Sequence, residues 1–157
     1  MTPEQIIEKL KARHPEAILG SDPSPKHPFV KVAPAAWHEV ALTLRDELGM
    51  NYLVCLTSID RGAELEAFYN LEHMGDVRYG MGVRVFVPRD NPVIPTVEDV
   101  WRTSDWHERE AWDLMGIKFA GHHNLVRILC AEDWEGHPLR KDYKSPDYYH
   151  GVKNNVV

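Results

Sequence analysis

Near Gly49 the hydrophobic period of this chain changes. Before it, apolar residues recur at helical spacing; after it, the period is two, through three runs at residues 52–59, 64–74 and 78–87. Two short turns, Asp60-Arg61-Gly62 and Gly75-Asp76, separate the runs. A period of two puts alternate side chains on one face of a strand, and strands joined by short turns pair antiparallel. The middle of the chain is therefore a meander, and its apolar face has to be covered by what flanks it. Gly80-Met81-Gly82 in the third run is not a nucleotide loop: it lacks a third glycine and leads on into strand, not helix. It marks a bulge or a close backbone approach.

The flanks supply helices. Thr2, Pro3 and Gln5 give the start signal of a first helix, whose apolar face is Ile6, Ile7 and Leu10 and which His14-Pro15 ends. A short strand at 17–19, a proline-rich loop at 21–28 and an alternating strand at 29–32 follow. Pro34 opens a second helix over 35–48, with Trp37, Val40, Ala41, Leu44 and Leu48 on one face and Gly49 at its end. Beyond the meander, residues 88–95 read as a polar connection. Thr96 is expected to cap a short helix through Trp101, and Ser104 to cap a longer one over 105–115 that Gly116 stops. After Phe119 the periodicity disappears, and no regular core structure is expected beyond Trp134. The prediction is an α+β fold: a two-layer domain over residues 1–120, with N-terminal helices packed on a mixed, largely antiparallel sheet, and an extended C-terminal arm over 121–157. The arm carries Trp134, Tyr143, Tyr148 and Tyr149, too aromatic for a disordered tail. It is expected to lie on another surface.

Charge and length narrow the function classes. The 157 residues suit one domain, and 18 basic against 24 acidic residues leave a net charge of -6. That argues against a general binder of nucleic acid or anionic lipid, although Arg140, Lys141, Lys144 and Lys153 make the tail locally basic. No apolar run approaches the ~20 residues of a membrane span, and the N-terminus lacks the apolar core of a signal peptide. The chain is expected to be soluble and cytoplasmic, reaching a membrane only through a partner. Cys55 and Cys130 sit in apolar runs and read as buried free thiols. With no CxxC, neither a zinc ribbon nor a cysteine-ligated cluster is supported.

Two stretches invite a catalytic reading: HEREAWDLMGIKFAGHH at 107–123 and EGHPLRKDYKSPDYYHG at 135–151. A metal helix HExxH would need a histidine at 111, where Ala111 stands. The alternative for His107, Glu108, Arg109, Glu110 and Asp113 is an amphipathic helix with ion pairs and hydrogen bonds at its ends. His122, His123 and His137 have no serine or cysteine in a nucleophile context to serve, so turn histidines bonded to backbone are the preferred reading. A free-standing enzyme using Glu110, Asp113 and His122 stays open, as does an RNA-binding module. Arg127, Arg140 and Lys141 beside several tyrosines form the residue mix of interface hot spots, which favours protein docking.

The segment HEREAWDLMGIKFAGHHNLVRILCAEDWEGHPLRKDY, residues 107–143, resembles the signature of the 30 kDa subunit of respiratory complex I, the C subunit of the bacterial NADH-quinone oxidoreductase. The matching residues are Glu108, Arg109, Glu110, Asp113 to Ile117, Phe119, Gly121 and His122, then Gly136 to Tyr143. Two positions depart from the pattern: His123 stands where the family usually has proline, and Val126 where it usually has a basic residue or proline. The resemblance implies a non-catalytic subunit of the peripheral arm of a proton-translocating NADH:quinone oxidoreductase, on the cytoplasmic side of the cell inner membrane. It implies no cofactor or metal in this chain: FMN, iron–sulfur clusters and quinone belong to partner subunits. The partners implied are the 49 kDa-type quinone-site subunit and the iron–sulfur subunits. The residues implied to face partners are Glu108, Arg109, Glu110, Asp113, Arg127, Trp134, His137, Leu139, Arg140, Lys141, Asp142 and Tyr143. Among them the cations would pair with partner carboxylates, and Trp134, Leu139 and Tyr143 would supply apolar anchors. The same domain type serves membrane-bound hydrogenases, reduced-F420 dehydrogenases and the plastoquinone-reducing complex, which remain alternatives.

Overall fold

The computed structural model describes residues 1–154. Its framework is a five-stranded sheet of order β1-β2-β5-β4-β3, built from β1 (Ile18–Asp22), β2 (Phe29–Val32), β3 (Tyr52–Asp60), β4 (Glu64–His73) and β5 (Tyr79–Pro88). The meander is present with short turns, and within this sheet the β2–β5 pair alone is parallel. The fold is α+β with a mixed, largely antiparallel sheet.

Alternation decides which face is covered. Leu65, Ala67, Tyr69 and Leu71 of β4 and Met81, Val83, Val85 and Val87 of β5 are buried on one side. They join one core with Ile6 and Leu10 of α1 (Pro3–Arg13) and Trp37, Val40 and Leu44 of α2 (Trp37–Asp46). Thr2 closes α1 with the capping box its sequence announced, its hydroxyl accepting from the Gln5 amide and the Gln5 side chain accepting from the Thr2 amide. The expected second helix starts as one 3₁₀ turn, Pro34–Ala36, before becoming α-helical. Trp37 has no exposed surface and lies 4.5 Å from the Tyr69 ring and 6.2 Å from that of Trp101.

Several local expectations are corrected. The loop read at 21–28 begins later, because Ser21 and Asp22 still pair with Val30 and Phe29. The helix expected over 96–101 is a single turn, closed by Val100 and Trp101 amides donating to the Val97 carbonyl and locked by Trp101 Nε1 on Met50 O at 2.8 Å. Ser104 is the first residue of α3 (Ser104–Met115) and not its cap; Thr103 holds that position without a side-chain bond. The connection at 88–95 ends in β6 (Val93–Pro95), which pairs in parallel with β7 (Lys118–Ala120), just after α3. A three-residue strand carries too little pattern to be read against its polar surroundings. In the arm, β8 (Tyr148–Tyr149) and β9 (Val152–Lys153) form a two-residue-per-strand hairpin that lies outside the core. Cys55 and Cys130 are free but half-buried, less deeply placed than their apolar neighbours suggested.

The β4–β5 ladder runs without a register shift, so the glycines of β5 mark close packing and no bulge. A Cβ on Gly82 would stand 2.6 Å from the Phe68 ring and 3.2 Å from Pro28 O. Gly82→Ala is therefore expected to lower stability by about 1–3 kcal/mol, read as a reduced urea midpoint with unchanged m-value.

Candidate functional site

Helix α3 organises the last third of the chain, and its two ends carry different chemistry. At its C-terminus Gly116 adopts φ +74, a left-handed stop that frees the last carbonyls of the helix. The arm returns to satisfy them. Arg127 Nη1 and His137 Nδ1 donate to Asp113 O at 3.1 and 3.0 Å, the Leu139 amide to Leu114 O at 3.0 Å, and Arg140 Nε to Met115 O at 2.8 Å. Two guanidiniums at a helix C-terminus also suit its negative end. The contact is close because Gly116 has no side chain: a Cβ there would lie 2.4 Å from His137 and 2.6 Å from Arg140.

The same turn of α3 holds the arm a second way. Asp113 has no exposed surface, yet its carboxylate is fully engaged. Oδ2 accepts the amides of Ile128, Leu129 and Cys130 at 3.0, 2.7 and 2.9 Å, and Oδ1 takes Arg127 Nη1 at 2.6 Å. Arg127 Nη2 donates onward to Trp134 O and Gly136 O. Burial opposes the charge on Asp113, but the Cys130 and Leu129 amides, the Arg127 guanidinium and the Ile128 amide outweigh it, so its carboxyl stays well below the usual range. Burial pushes the Cys130 thiol up and the His137 imidazole down, which leaves both neutral at neutral pH.

A third anchor joins the arm to the meander. Asp60 at the end of β3 accepts Arg89 Nη1 at 2.6 Å and the Lys141 amide at 2.8 Å, and Arg89 also pairs with Asp142. Chiefly because of Arg89, then Lys141, the Asp60 carboxyl too is held well below its ordinary value. Neither Asp60 nor Arg89 was singled out from sequence; Asp60 reads there as a turn residue. Further on, Asp133 accepts the Tyr149 hydroxyl at 2.7 Å and His150 Nε2 at 2.6 Å, folding the hairpin back beside Trp134.

At the other end of α3, Glu108 also lies at zero exposure. It accepts the Val97 amide at 2.9 Å, Ser104 Oγ at 2.7 Å and the Thr96 hydroxyl. Burial raises its pKa and these donors oppose the rise. Thr96 and Ser104, both read as helix caps, donate to it; Thr96 Oγ1 also accepts the Glu98 amide at 3.2 Å, as a cap does, whereas Ser104 lies inside α3.

The residues expected to face a partner thus separate. Glu108 and Asp113 are corrected: with no exposed surface, they bind inside the chain. Arg127, His137 and Arg140 direct their donors to the arm's own attachment. Trp134 and Tyr143 are half-buried within the arm. Arg109 stacks on Trp106, with its guanidinium carbon 4.8 Å from the ring, and Glu110, Leu139, Lys141 and Asp142 are exposed. Leu139 is 59% exposed, and Trp106 and Leu129, which no sequence signal marked as surface anchors, are 61% and 63% exposed. The Glu110, Asp113 and His122 constellation does not assemble. His122 sits beside Asp105 in the first turn of α3, ~12 Å along the axis from Asp113, and Asp113 is already saturated.

The chain is thus a small α+β domain whose buried charges fix an arm and leave Leu129 and Leu139 of that arm outside. The family model for the respiratory-chain NADH dehydrogenase 30 Kd subunit matches residues 30–149, and the chain belongs to that family. It is 40% identical over 154 residues to the C subunit of NADH-quinone oxidoreductase from Chloroherpeton thalassium, covering 96% of this chain and 64% of that one. It is 44% identical over 143 residues to the corresponding C subunit from Chlorobium phaeobacteroides, covering 88% of this chain and 86% of that one. The chain therefore spans just under two thirds of the first relative's length and most of the second's. Among solved structures it resembles a trypsin-resistant fragment of Nqo5, with TM-score 0.66 and 27% identity, covering 80% of this chain and 100% of the fragment. It shares its fold with a chain of the membrane-bound sulfane sulfur reductase, an archaeal respiratory membrane complex, at TM-score 0.78 and 20% identity, covering 92% of this chain and 86% of that one.

The folded-state pKa values of Asp113 and Asp60 lie below their unfolded ones. Their stabilisation is therefore complete above about pH 4 and is lost as pH falls through the folded values. Asp113→Asn removes the charge and leaves a single side-chain acceptor oxygen where the Arg127 Nη1 contact and the amide trio now use two. It should destabilise the chain by about 3 kcal/mol, make residues 121–154 proteolytically labile at neutral pH, and blunt the acid-induced release of the arm expected of the unsubstituted chain.

Proposed function

We propose that this chain is a non-catalytic docking subunit of the peripheral arm of an NADH:quinone oxidoreductase, holding the 49 kDa-type quinone-site subunit through its C-terminal arm. The observation that carries this reading is the division of labour in the arm. Its carboxylate and guanidinium partners are internal, while Leu129 and Leu139 point outward at 63% and 59% exposure. An arm ordered before it meets its partner has less conformational entropy to lose on binding. The face offered combines Leu139 with Arg109, Glu110, Lys141 and Asp142, while Trp134 and Tyr143 stiffen the arm from within. Trp134 Nε1 and the Tyr143 hydroxyl are themselves buried atoms and have no hydrogen-bond partner among the described residues.

In this reading the chain carries no flavin, iron–sulfur cluster or quinone. Electrons travel from NADH to quinone through other subunits, and this one fixes the geometry in which they do so. No helix among the described residues is long and apolar enough to cross a membrane. The chain accordingly reaches the cytoplasmic face of the inner membrane through the assembly. The identities of 40% and 44% to NADH-quinone oxidoreductase subunits favour this complex over hydrogenase, F420H2 dehydrogenase or plastoquinone-reducing relatives.

The test is recovery of partners from gently solubilised membranes with tagged full-length chain, its Leu139→Glu variant and a truncation after Ala131. Leu139 is exposed, so the substitution leaves folding intact. Full-length chain should bring down a quinone-site subunit and iron–sulfur partners, with Leu139→Glu weakened by about 2 kcal/mol or more and the truncation blank. Equal recovery by all three would refute docking through the arm.

A further inference from the structure

At the N-terminal end of α3, away from the Asp113 anchor, four metal-ligating side chains converge. Glu98 comes from the turn after β6, Asp105 from the first turn of α3, and His122 and His123 from the root of the arm just past β7. One donor atom from each lies within 4.8 Å of all the others. His122 Nε2 is 3.5 Å from Glu98 Oε2 and 3.4 Å from Asp105 Oδ1. These spacings are close to the edge, roughly 3.3 Å, of a tetrahedron with 2.0–2.1 Å bonds. His123 Nδ1 meets Glu98 Oε2 directly at 2.6 Å, and the two rings stack at 5.3 Å.

Three further features point to a cation. The His122 side chain has no exposed surface, and those of Glu98 and Asp105 are only 15% and 26% exposed. Asp105 Oδ1 is buried and accepts no hydrogen bond, an oxygen lone pair left over in the cluster. Neither Glu98 nor Asp105 has a lysine or arginine ion-pair partner among the described residues; imidazoles are the ionisable donors that face them, and Glu98 Oε1 also accepts the His123 amide at 2.8 Å. Helix spacing within α3 argues against a metal at its own residues. This group is assembled from three separate segments, and His123 is one of the two positions that depart from the family pattern.

We infer that Glu98, Asp105, His122 and His123 form a binding site for a divalent transition-metal ion of the zinc type. Two imidazoles and two carboxylates are a borderline donor set, which favours zinc-type ions over magnesium or calcium. The ion replaces the direct Glu98–His123 hydrogen bond and the proton that His122 Nε2 donates to Asp105 O at 3.2 Å. His122 Nδ1, which accepts the Asn124 amide at 3.1 Å, then carries the ring proton and releases that amide. The ion staples the turn at Glu98, the start of α3 and the root of the arm. It is structural and takes no part in electron transfer.

The test uses untagged full-length chain dialysed against Zn²⁺ and then against a weak chelator, with retained metal counted by mass spectrometry. A parallel Co²⁺ titration reads the visible absorption of a tetrahedral site. About one retained equivalent is expected. His123→Ala, at a position 64% exposed and safe for folding, should weaken retention at least ~10-fold and abolish the Co²⁺ band. Glu98→Gln should act in the same direction. His150→Ala, which removes a different surface histidine–carboxylate pair with Asp133, should change nothing. Absence of retained Zn²⁺, retention unaffected by His123→Ala and Glu98→Gln, or retention lost with His150→Ala would each overturn the site.

Discussion

The carboxylate of Asp113 joins two parts of the chain that otherwise have little reason to stay together. On one side is a helix packed on the β3 edge of the sheet; on the other is an arm with few regular hydrogen bonds of its own. Three successive backbone amides and one guanidinium converge on that group. A buried carboxylate with so many donors is hard to form and destabilises still more if left half-satisfied. The arrangement therefore enforces one path for residues 127–130. Once that path is set, Arg127 fixes the Trp134 and Gly136 carbonyls, and His137, Leu139 and Arg140 meet the open end of α3. The attachment at Asp60 holds the chain where it next crosses the meander.

The physical logic resembles helix capping extended over a longer stretch. Helix ends need partners for their last carbonyls, and extended segments need partners for their amides. Here each supplies what the other lacks. Gly116 lets the two approach, and the Trp112 ring lies beside the Arg127 guanidinium and the His137 imidazole that make the contact. The apolar side chains that do not fit this internal scheme, Leu129 and Leu139 above all, remain at the surface. In the docking reading proposed above, these outward residues are what the ordered segment presents.

Much of the fold was legible because it rests on period and punctuation. The capping box at Thr2, the face from Trp37 to Leu48, the three strands and the stop at Gly116 all follow from local pattern. What failed was short or non-local. β6 and β7 are three residues each and pair across an intervening helix. The turn at 97–101 carries a helical start signal, but Trp101 is drawn to the Met50 carbonyl, and that tertiary contact ends the helix before it begins. At the site, two residues expected to face outward turn inward. Glu108 and Asp113 are charged positions on a helix, where exposure is the ordinary expectation. Their burial depends on donors from Thr96, Val97 and residues 127–130, which local pattern does not connect to them. The Ser104–Glu108 pair, four apart on one helix, was the one such link within reach of spacing alone.

The most direct test of an arm ordered by its own chain is amide hydrogen exchange on the isolated full-length protein at neutral pH, resolved to single residues in the arm. Slow exchange is expected at Ile128, Leu129, Cys130, Leu139 and Lys141, whose amides reach Asp113, Leu114 O and Asp60, with fast exchange at exposed positions around them. Exchange of these five amides at the rate of an unstructured peptide would contradict this, since the arm would then be ordered only by a partner and not by the buried carboxylates of its own chain.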